Sequence, residues 1–472
     1  MKTHFPLGDG PGLVLTPFRG VRYAPGRVGE LANVTSPPYD VIGPGTLEQL
    51  RAASPYNIVG LTLPALDLDA RAAGQIAAAR LAAWLDEGVL AADGAPALYV
   101  YEQRGAGCLQ RGLIGLVRVG TTAIHPHEDV MPGPVAGRRE LMAAVHGNLE
   151  PILLVYNGGT EAGAGAGGHG GTAGPVSQLA GVSGAQGGSG GAGGAVSVTS
   201  RLVDLAAEER APLACTVTDD GVTHRIWALA DPAEQAAVAA DLAARTALIA
   251  DGHHRYAAYD ELRSSMRASG HGDGPWDYGL AFLVDADAYP LRLGPIHRVI
   301  PHLDPAEAAA LAAQAFTVTE LPTTATGPGF GPDQLADALG RLADMGRHGT
   351  AFLLAGRGGL RLLSHPAAGE LADSMPSGSS PRWRALDAAV MQELLLARLW
   401  LIKDNERDVL ISHDAAEAVR LAVETGGTAV LCNPMELAAV MELAAHGERV
   451  PRKSTSFGPK PRTGLVLRTF DD

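Results

Sequence analysis

Cysteine and long apolar runs are scarce in this chain. The few cysteines argue against a zinc-binding protein, and the lack of long apolar runs argues against a membrane-spanning one. The three cysteines, Cys108, Cys215 and Cys432, lie far apart and lack the spacing of a zinc site. No apolar run reaches the roughly 20 residues that a membrane-spanning helix needs, and the amino terminus has no apolar signal-peptide core. We therefore expect a reduced, cytoplasmic protein without a membrane partner.

Positive charge is also in short supply. Lysine and arginine number 37 against 51 aspartates and glutamates, and the formal net charge is −14. An acidic surface repels nucleic-acid phosphates, and no basic helix-turn-helix segment is evident, so we expect no nucleic-acid partner. The 472 residues are too many for one compact core, which predicts two or three domains. The sequence leaves the oligomeric state open.

Glycine, by contrast, is abundant, and much of it lies in one stretch. Residues 158–196, which contain the run GAGAGGHGGTAGP, cannot form a packed core, because glycine loses the most backbone entropy on folding and has no side chain to bury. We interpret this stretch as a disordered loop. It follows a predicted N-terminal α/β region, 1–157, and precedes a predicted core, 197–330, and a C-terminal α/β region, 331–472.

Hydrophobic periodicity predicts a mixed α/β fold around this loop. Segments with apolar residues at helical spacing are 74–90, 231–245, 255–267, 387–402 and 415–426. Short apolar runs that predict strands are 97–103, 112–119 and 150–157. Residues 279–300 are predicted to form two strands joined by a turn. Asp231, followed by Pro232, has the signature of a helix start.

The densest polar stretch, IADGHHRYAAYDEL at 249–262, combines a buried strand that ends at Asp251, a glycine turn and a helix. At a helix N-terminus the unpaired backbone N–H groups and the helix dipole favour an anion. Gly252 permits the tight turn, and His253 and His254 add donors. Arg255 offers a planar fork for phosphate oxygens. The pattern predicts a phosphate site; the alternative is that a histidine caps the helix and Arg255 pairs with a carboxylate.

Several segments occur here in an order typical of one family of bacterial and archaeal proteins. They are SPPYDVI (36–42), SPYNIVGLTLP (54–64), HPHEDV (125–130), NLEPILLVY (148–156), ADGHHRYAAY (250–259), GPIHRVI (294–300) and PRKSTSFGPKPRTGLV (451–466). Nearly the whole chain resembles the domain of unknown function 1015 family. The ADGHHRYAAY segment resembles the phosphate box of the ParB/sulfiredoxin superfamily, and most closely that of ADP-dependent free-serine kinases.

This resemblance implies a fold and an activity. The fold is a ParB/sulfiredoxin-like nucleotide-binding core with flanking α/β elements. The activity is that of a serine-kinase-like phosphotransferase, which acts between a nucleotide and a small hydroxy amino acid (serine or phosphoserine) in either direction. The implied cofactors are Mg²⁺ with ADP or ATP, and the implied partners are the nucleotide and the small-molecule substrate.

The HPHEDV and PPYDVI segments supply candidate catalytic residues. Phosphoryl transfer to a hydroxyl needs a carboxylate within hydrogen-bond reach of that hydroxyl. The serine-kinase branch uses a carboxylate near its phosphate box, which makes Glu128 the candidate base, with His127 positioning the substrate or phosphate. Asp40, which follows two prolines, is a candidate for holding Mg²⁺ or the substrate amino group, or it caps a turn. Arg138 and Arg139 bind a carboxylate or phosphate, or face solvent at a helix start.

Two later segments complete the candidate phosphate- and nucleotide-binding set. His297 and Arg298 lie in a strand-like run, where alternation sends them to opposite faces, so at most one faces a given pocket. The most basic stretch of the chain, RKSTSFGPKPRTG, contains Lys453, Ser454 and Lys460 between hydroxyl residues and Gly-Pro turns. It predicts a second phosphate clamp; the alternative is a solvated tail.

Two other functions stay open. The DGHH sequence, together with Asp285 and Asp287, resembles metal-dependent Asp-His-His phosphoesterases in outline, but HPHEDV fits their upstream metal motif poorly. A non-enzymatic nucleotide-binding switch is the second, because ParB-type domains also act as partner-binding clamps.

Overall fold

The computed structural model describes residues 12–65, 67–105, 107–159, 196–322, 331–405 and 407–471. Most of the predicted disordered loop lies outside the described residues. Strands and helices mix along the rest of the chain, which confirms the predicted mixed α/β class.

The larger sheet contains nine strands within the described part of the chain. Eight of them follow the spatial order Ile124–His125, Ala247–Asp251, Ile152–Tyr156, Tyr278–Asp285, Cys108–Arg118, Leu98–Gly105, Thr223–Leu229 and Ala214–Val217, and Leu15–Thr16 pairs with Cys108–Arg118. Two central strands, Ile152–Tyr156 and Tyr278–Asp285, run parallel and are buried throughout, which explains their nearly continuous apolar sequences.

The smaller sheet contains six strands where the structure describes the chain, and all of them pair antiparallel. Their order is Thr317–Leu321, Gly359–Ser364, Ala351–Gly356, Thr428–Cys432, His297–Ile300 and Leu410–Ser412. Three two-stranded pairs complete the strands of the described residues: Val21–Tyr23 with Leu90–Ala92, Arg292–Gly294 with Ser456–Gly458, and Gly147–Asn148 with Arg468–Thr469.

The prediction of two strands joined by a turn over 279–300 is wrong. Tyr278–Asp285 belongs to the larger sheet, Arg292–Gly294 pairs with the C-terminal segment, and His297–Ile300 belongs to the smaller sheet. Apolar alternation reveals that a strand exists but not its partner, so a chain that crosses between two sheets has the same pattern as a hairpin.

Helices cover the two sheets. The α-helical segments of the described residues are Pro44–Ala53, Val59–Thr62, Ala70–Asp86, Pro132–Val145, Val198–Glu209, Pro232–Leu242, His253–Ala268, Pro305–Ala312, Pro332–Gly346, Ala368–Ser374, Pro381–Arg384, Asp387–Ala389, Ala415–Thr425 and Leu437–Ala445. The segment predicted as one helix over 387–402 continues from Ala389 as a π-helix, Val390–Leu399. Asp231 caps its helix by accepting a hydrogen bond from the Ala233 N–H, as predicted. None of the described helices is both long and apolar enough to cross a membrane.

The sheets group the chain differently from the predicted regions. The larger sheet takes strands from both sides of the predicted loop, and the smaller sheet takes strands from both sides of residue 330. Strands that are far apart in sequence share hydrogen-bond ladders in each sheet. Sequence composition alone therefore does not show which strands belong to the same sheet. The domain boundaries themselves stay a prediction.

The C-terminal segment returns to the N-terminal region. Backbone hydrogen bonds join Thr463 to Ser36 in both directions, at 2.8 and 3.1 Å, and Leu467 to Val21, at 2.8 and 2.9 Å. This return brings Lys460 of the basic stretch to within 3.0 Å of Asp40.

The residues that flank the predicted loop are held at one carboxylate. Asp285 accepts hydrogen bonds from the Gly158 N–H at 2.9 Å and from the Ser197 hydroxyl at 3.0 Å. The Ser200 hydroxyl donates to the same carboxylate at 2.6 Å. A short connection therefore suffices to join the two flanks.

Replacing residues 160–195 by a six-residue Gly/Ser linker is expected to leave the fold and ligand binding unchanged. Such a linker reaches about 20 Å, more than the gap between groups that share one carboxylate. Loop-closure entropy changes by only about 0.6 kcal/mol per doubling of length. Urea denaturation should thus give a free energy of unfolding within about 2 kcal/mol of the parent. Loss of folded protein would show that the replaced segment is structural.

Candidate functional site

The predicted strand–turn–helix at residues 247–268 is confirmed. The strand Ala247–Asp251 leads through Gly252, at φ 93°, directly into the helix His253–Ala268. A side chain at Gly252 would be strained by this φ, and its Cβ would lie 2.9 Å from Ile152 Cγ2 and 3.1 Å from Arg255 Nε. Because glycine has no capping side chain, the first N–H groups of the helix receive no side-chain cap from this position.

Arg255 is a buried residue of this turn rather than an exposed fork. Its side chain is 2% exposed, Nη1 donates to the Pro151 carbonyl at 2.6 Å, and Nη2 donates to Asp251 Oδ2 at 2.5 Å. Its Nε has no acceptor among the described residues. Burial by itself lowers the pKa of Arg255, but the charges of Asp251, Glu150 and Asp40 raise it above the ordinary value. The guanidinium thus forms the carboxylate pair that the sequence left as the alternative.

The two histidines tie a second loop to the helix start. His253 Nε2 accepts a hydrogen bond from the His127 N–H at 3.3 Å, and His254 Nε2 accepts one from the Met131 N–H at 3.1 Å. Burial lowers the pKa of His253 well below its usual value and also lowers that of His254. Both rings therefore act as neutral acceptors that hold the loop carrying Glu128 against the helix.

Glu128 is linked to a neutral histidine through one hydroxyl. The Thr455 Oγ1 donates to Glu128 Oε1 at 2.7 Å and lies 2.8 Å from His127 Nε2. That hydroxyl therefore lies between the Glu128 carboxylate and the His127 ring. Burial lowers the pKa of His127 to about 3, so the ring carries no charge at neutral pH. Burial raises the pKa of Glu128, and Thr455 and Lys453 partly oppose that rise.

Lys460 lies between two carboxylates from distant parts of the chain. Its Nζ lies 2.6 Å from Asp251 Oδ1 and 3.0 Å from Asp40 Oδ2. Burial alone would raise the pKa of Asp40, but Lys460 and Arg255 hold it below the ordinary value. Asp40 is therefore ionised and fixes the Lys460 ammonium beside the helix start.

The predicted magnesium role of Asp40 does not fit a resident metal. Asp40 and Asp251 share an ammonium group, and the described part of the chain has no group of three His, Cys, Asp or Glu residues that could hold an ion. Asp285 binds four donors of its own, including the Asp287 N–H at 3.0 Å, so it does not supply the metal ligand of a phosphoesterase.

The basic stretch divides into residues that face the site and residues that face the interior. Lys453 is exposed at φ 54°, a left-handed conformation that costs energy for a residue with a side chain. It lies near enough to Glu128 and His254 to lower the pKa of both. Ser454 is buried and donates to the Pro451 carbonyl at 2.6 Å, so its hydroxyl is already bonded inside the loop.

Both His297 and Arg298 are buried in the smaller sheet, and a phosphate-binding role for either of them stays a prediction. His297 Nδ1 accepts a hydrogen bond from the Cys432 N–H at 3.2 Å. Arg298 Nη2 donates to the Arg452 carbonyl at 3.0 Å and lies 3.7 Å from Asp404 Oδ2. Arg298 therefore fixes the backbone at Arg452, where the basic stretch begins.

Two residues of this cluster are absent from the predicted set. Thr455 bridges Glu128 and His127. Its position between Lys453 and Lys460 in the basic stretch is the sequence feature that could have identified it. Glu150 is buried and accepts hydrogen bonds at 3.1 Å from the Tyr39 N–H and from the Thr463 hydroxyl. The sequence feature that could have identified Glu150 is an acidic residue directly before an apolar strand.

The two arginines of the Pro132–Val145 helix have different surroundings. Arg138 donates to the Thr62 carbonyl at 3.0 Å, and its guanidinium lies 4.1 Å from the centre of the Tyr39 ring. Arg139 pairs with Glu140 at 2.7 Å on the surface. Arg138 therefore supports the loop of Asp40, and Arg139 does not.

The family of the chain follows from a comparison of its whole length. The family model described as "Protein of unknown function (DUF1015)" matches residues 15–165 and 194–389. The chain belongs to this family. DUF1015 membership confirms the resemblance stated above. No functionally curated protein matches the chain.

Solved structures that are similar to this DUF1015 protein share little sequence with it. A free serine kinase mutant in complex with AMP is 12% identical, with a TM-score of 0.34, and the match covers 75% of this chain and 91% of that one. A conserved hypothetical protein from Pyrococcus furiosus is 12% identical, with a TM-score of 0.32 and coverage of 76% and 95%. SbnI with a C-terminal truncation, from Staphylococcus aureus, is 11% identical, with a TM-score of 0.33 and coverage of 75% and 87%.

Proposed function

We propose that this DUF1015 protein transfers a phosphoryl group between a nucleotide and the hydroxyl of a small hydroxy amino acid, serine or phosphoserine, in either direction. One observation carries the proposal. Residues up to 420 positions apart converge where the helix His253–Ala268 begins. Lys460 lies between Asp40 and Asp251, and Glu128 is bonded to Thr455. A helix start, whose N–H groups favour an anion, beside a carboxylate that can accept a proton suits the phosphorylation of a hydroxyl.

The phosphates of the nucleotide bind at the uncapped helix start. The N–H groups of the first turn and the ammonium groups of Lys453 and Lys460 supply the positive charge. Asp40 and Arg255 do not contact the phosphates themselves. Asp40 positions Lys460 through an ion pair, and Arg255 positions Asp251 in the same way. His254 fixes the neighbouring loop.

Glu128 takes the proton of the acceptor hydroxyl. The hydroxyl oxygen attacks the terminal phosphorus, the bond from that phosphorus to the leaving phosphate oxygen breaks, and the hydroxyl proton passes to the Glu128 carboxylate. The Thr455 hydroxyl and His127 orient the carboxylate. The reverse step begins with protonated Glu128, and a carboxyl group of raised pKa serves in both directions.

Lys453→Ala is expected to weaken nucleotide binding without loss of stability. Removing one charge-assisted contact costs about 1.5–3 kcal/mol, or roughly ten- to a hundredfold in affinity. The exposed position of Lys453 leaves the fold intact. Isothermal titration of MgADP and MgATP measures the change, and Arg420→Ala, an exposed cation on the helix Ala415–Thr425, is the matched control. Equal affinity of Lys453→Ala and wild type would remove Lys453 from the site.

The activity itself is tested by ³¹P NMR of the full chain. Wild type is incubated with L-serine and MgADP or MgATP, and separately with phosphoserine and MgAMP or MgADP. Appearance of phosphoserine, or of the higher nucleotide, is the expected result. Nucleotide binding without transfer in any of these mixtures would reject the enzyme and favour a non-enzymatic nucleotide-binding switch.

A further inference from the structure

A cavity of about 400 Å³ lies beside the smaller sheet. Ile296, Cys432, Met391 and Met435 contribute to a largely apolar wall. This volume is within the range of small-molecule sites. Of the candidate phosphate-site residues, only Ser454 lines the cavity, so its chemistry is not that of the helix start at Gly252.

Asp387 is the half-buried acid in this wall. Burial raises its pKa to about 6, and hydrogen bonding to Thr350 only partly opposes that rise. No cation among the described residues contributes to lowering it. Arg347 also lines the cavity, but it is largely exposed and pairs with Asp344. Ionising a carboxylate that is sheltered from water and has no counter-charge costs free energy. A bound cation would lower that cost by supplying the opposite charge.

The remaining polar groups of the wall favour a cation over an anion. Glu436 is a second acid in the lining, exposed at the surface. Asn433 donates its amide to the Leu342 carbonyl at 3.2 Å, which leaves its side-chain oxygen as an acceptor. The sulfur atoms of Cys432 and Met391 lie 3.5 Å apart and present a soft, apolar surface. Two acids and an amide oxygen repel phosphate and suit an ammonium group.

We propose that this cavity binds a small primary ammonium compound, whose charged group pairs with Asp387 while its carbon body packs against Ile296, Met391 and Met435. Two kinds of compound share this chemistry. One is a simple amine such as ethanolamine, and the other is an amino acid such as serine, the acceptor of the proposed function. The cavity proposal does not depend on that function, because a separate amine would bind in the same way.

Isothermal titration of the full chain at pH 8 with ethanolamine, L-serine and L-lactate tests the proposal. Ethanolamine or serine is expected to bind, and lactate, which has no ammonium group, is not. Asp387→Asn should weaken amine binding at least tenfold, while Asp373→Asn, a 73% exposed acid of the same region, should leave it unchanged. At pH 5 wild-type affinity should fall about tenfold, because Asp387 is then mostly protonated.

Each outcome separates the possibilities. Tighter binding of serine than of ethanolamine assigns the cavity to an amino acid, and equal binding assigns it to simple amines. Asp387→Asn should unfold at or above the wild-type temperature at pH 8, because it removes a half-buried charge that no described cation offsets and keeps an oxygen for the Thr350 hydrogen bond. Lost binding is then not lost folding. No amine binding to wild type, or undiminished binding to Asp387→Asn, would overturn the proposal. Amine binding without phosphoryl transfer would instead reject only the proposed function.

Discussion

Glu128→Gln is expected to lower phosphoryl-transfer turnover by about two to four orders of magnitude, the usual contribution of a positioned general base. The glutamine keeps an oxygen that accepts the Thr455 hydrogen bond, but it does not take the proton of the acceptor hydroxyl. Nucleotide affinity should stay within about twofold, because Glu128 contacts no phosphate in the proposed arrangement. Steady-state kinetics by ³¹P NMR and nucleotide titration measure the two effects separately.

The adjacent acid provides the control for this experiment. Asp129 is 90% exposed, so Asp129→Asn changes the same charge one residue away without touching the Thr455 hydroxyl. Asp129→Asn should retain wild-type turnover. Turnover of Glu128→Gln equal to that of wild type would exclude Glu128 as the base.

The pH dependence of turnover should also reveal Glu128 as the base. Burial raises the pKa of Glu128, and a base acts only in its ionised form. Turnover in the kinase direction should therefore fall as pH decreases through this raised pKa, and Glu128→Gln should lack that acid limb. A raised carboxyl pKa also means that the folded state loses stability as pH rises through it, so Glu128→Gln should be at least as stable as wild type at neutral pH.

Arg255→Ala is expected to destabilise the protein by about 3–5 kcal/mol, the cost of breaking a buried ion pair. The substitution leaves the Pro151 carbonyl without its donor and leaves Asp251 with Lys460 as its remaining cation. Arg255→Lys should recover part of this loss, because an ammonium keeps the charge but not the fork. Urea denaturation monitored by circular dichroism measures the free energy of unfolding.

A surface arginine on the same helix is the matched control for this stability effect. Arg267 is 42% exposed and pairs with Asp273 and Asp277, so Arg267→Ala should cost only about 0–1 kcal/mol. Equal losses for the two variants would contradict the buried role of Arg255. A nucleotide titration of folded Arg255→Ala then tests the phosphate role predicted from the sequence. A ten- to hundredfold loss of affinity supports that role, and unchanged affinity makes the residue purely structural.

Local patterns predicted the elements that depend on neighbouring residues. The turn at Gly252, the buried strand before it and the helix after it follow from residues within about twenty positions. The same is true of the Asp231 cap, because capping involves residues two or three apart. Residues 390–399 were predicted as α-helix and form a π-helix, since apolar spacing over ten residues does not distinguish the two.

The sequence by itself determined the family, the mixed α/β class and the strand–turn–helix that begins at Asp251, because these features reside in contiguous segments. Only the tertiary structure decided which side chains face the ligand and which face the interior. Arg255 and Arg298 carry the same charge as Lys453 and Lys460, yet the two arginines are buried against carbonyls while Lys453 is exposed and Lys460 bridges two carboxylates. Side-chain direction depends on contacts with distant segments: Arg255 donates to the Pro151 carbonyl, 104 positions away, and Arg298 donates to the Arg452 carbonyl of the returning C-terminal segment.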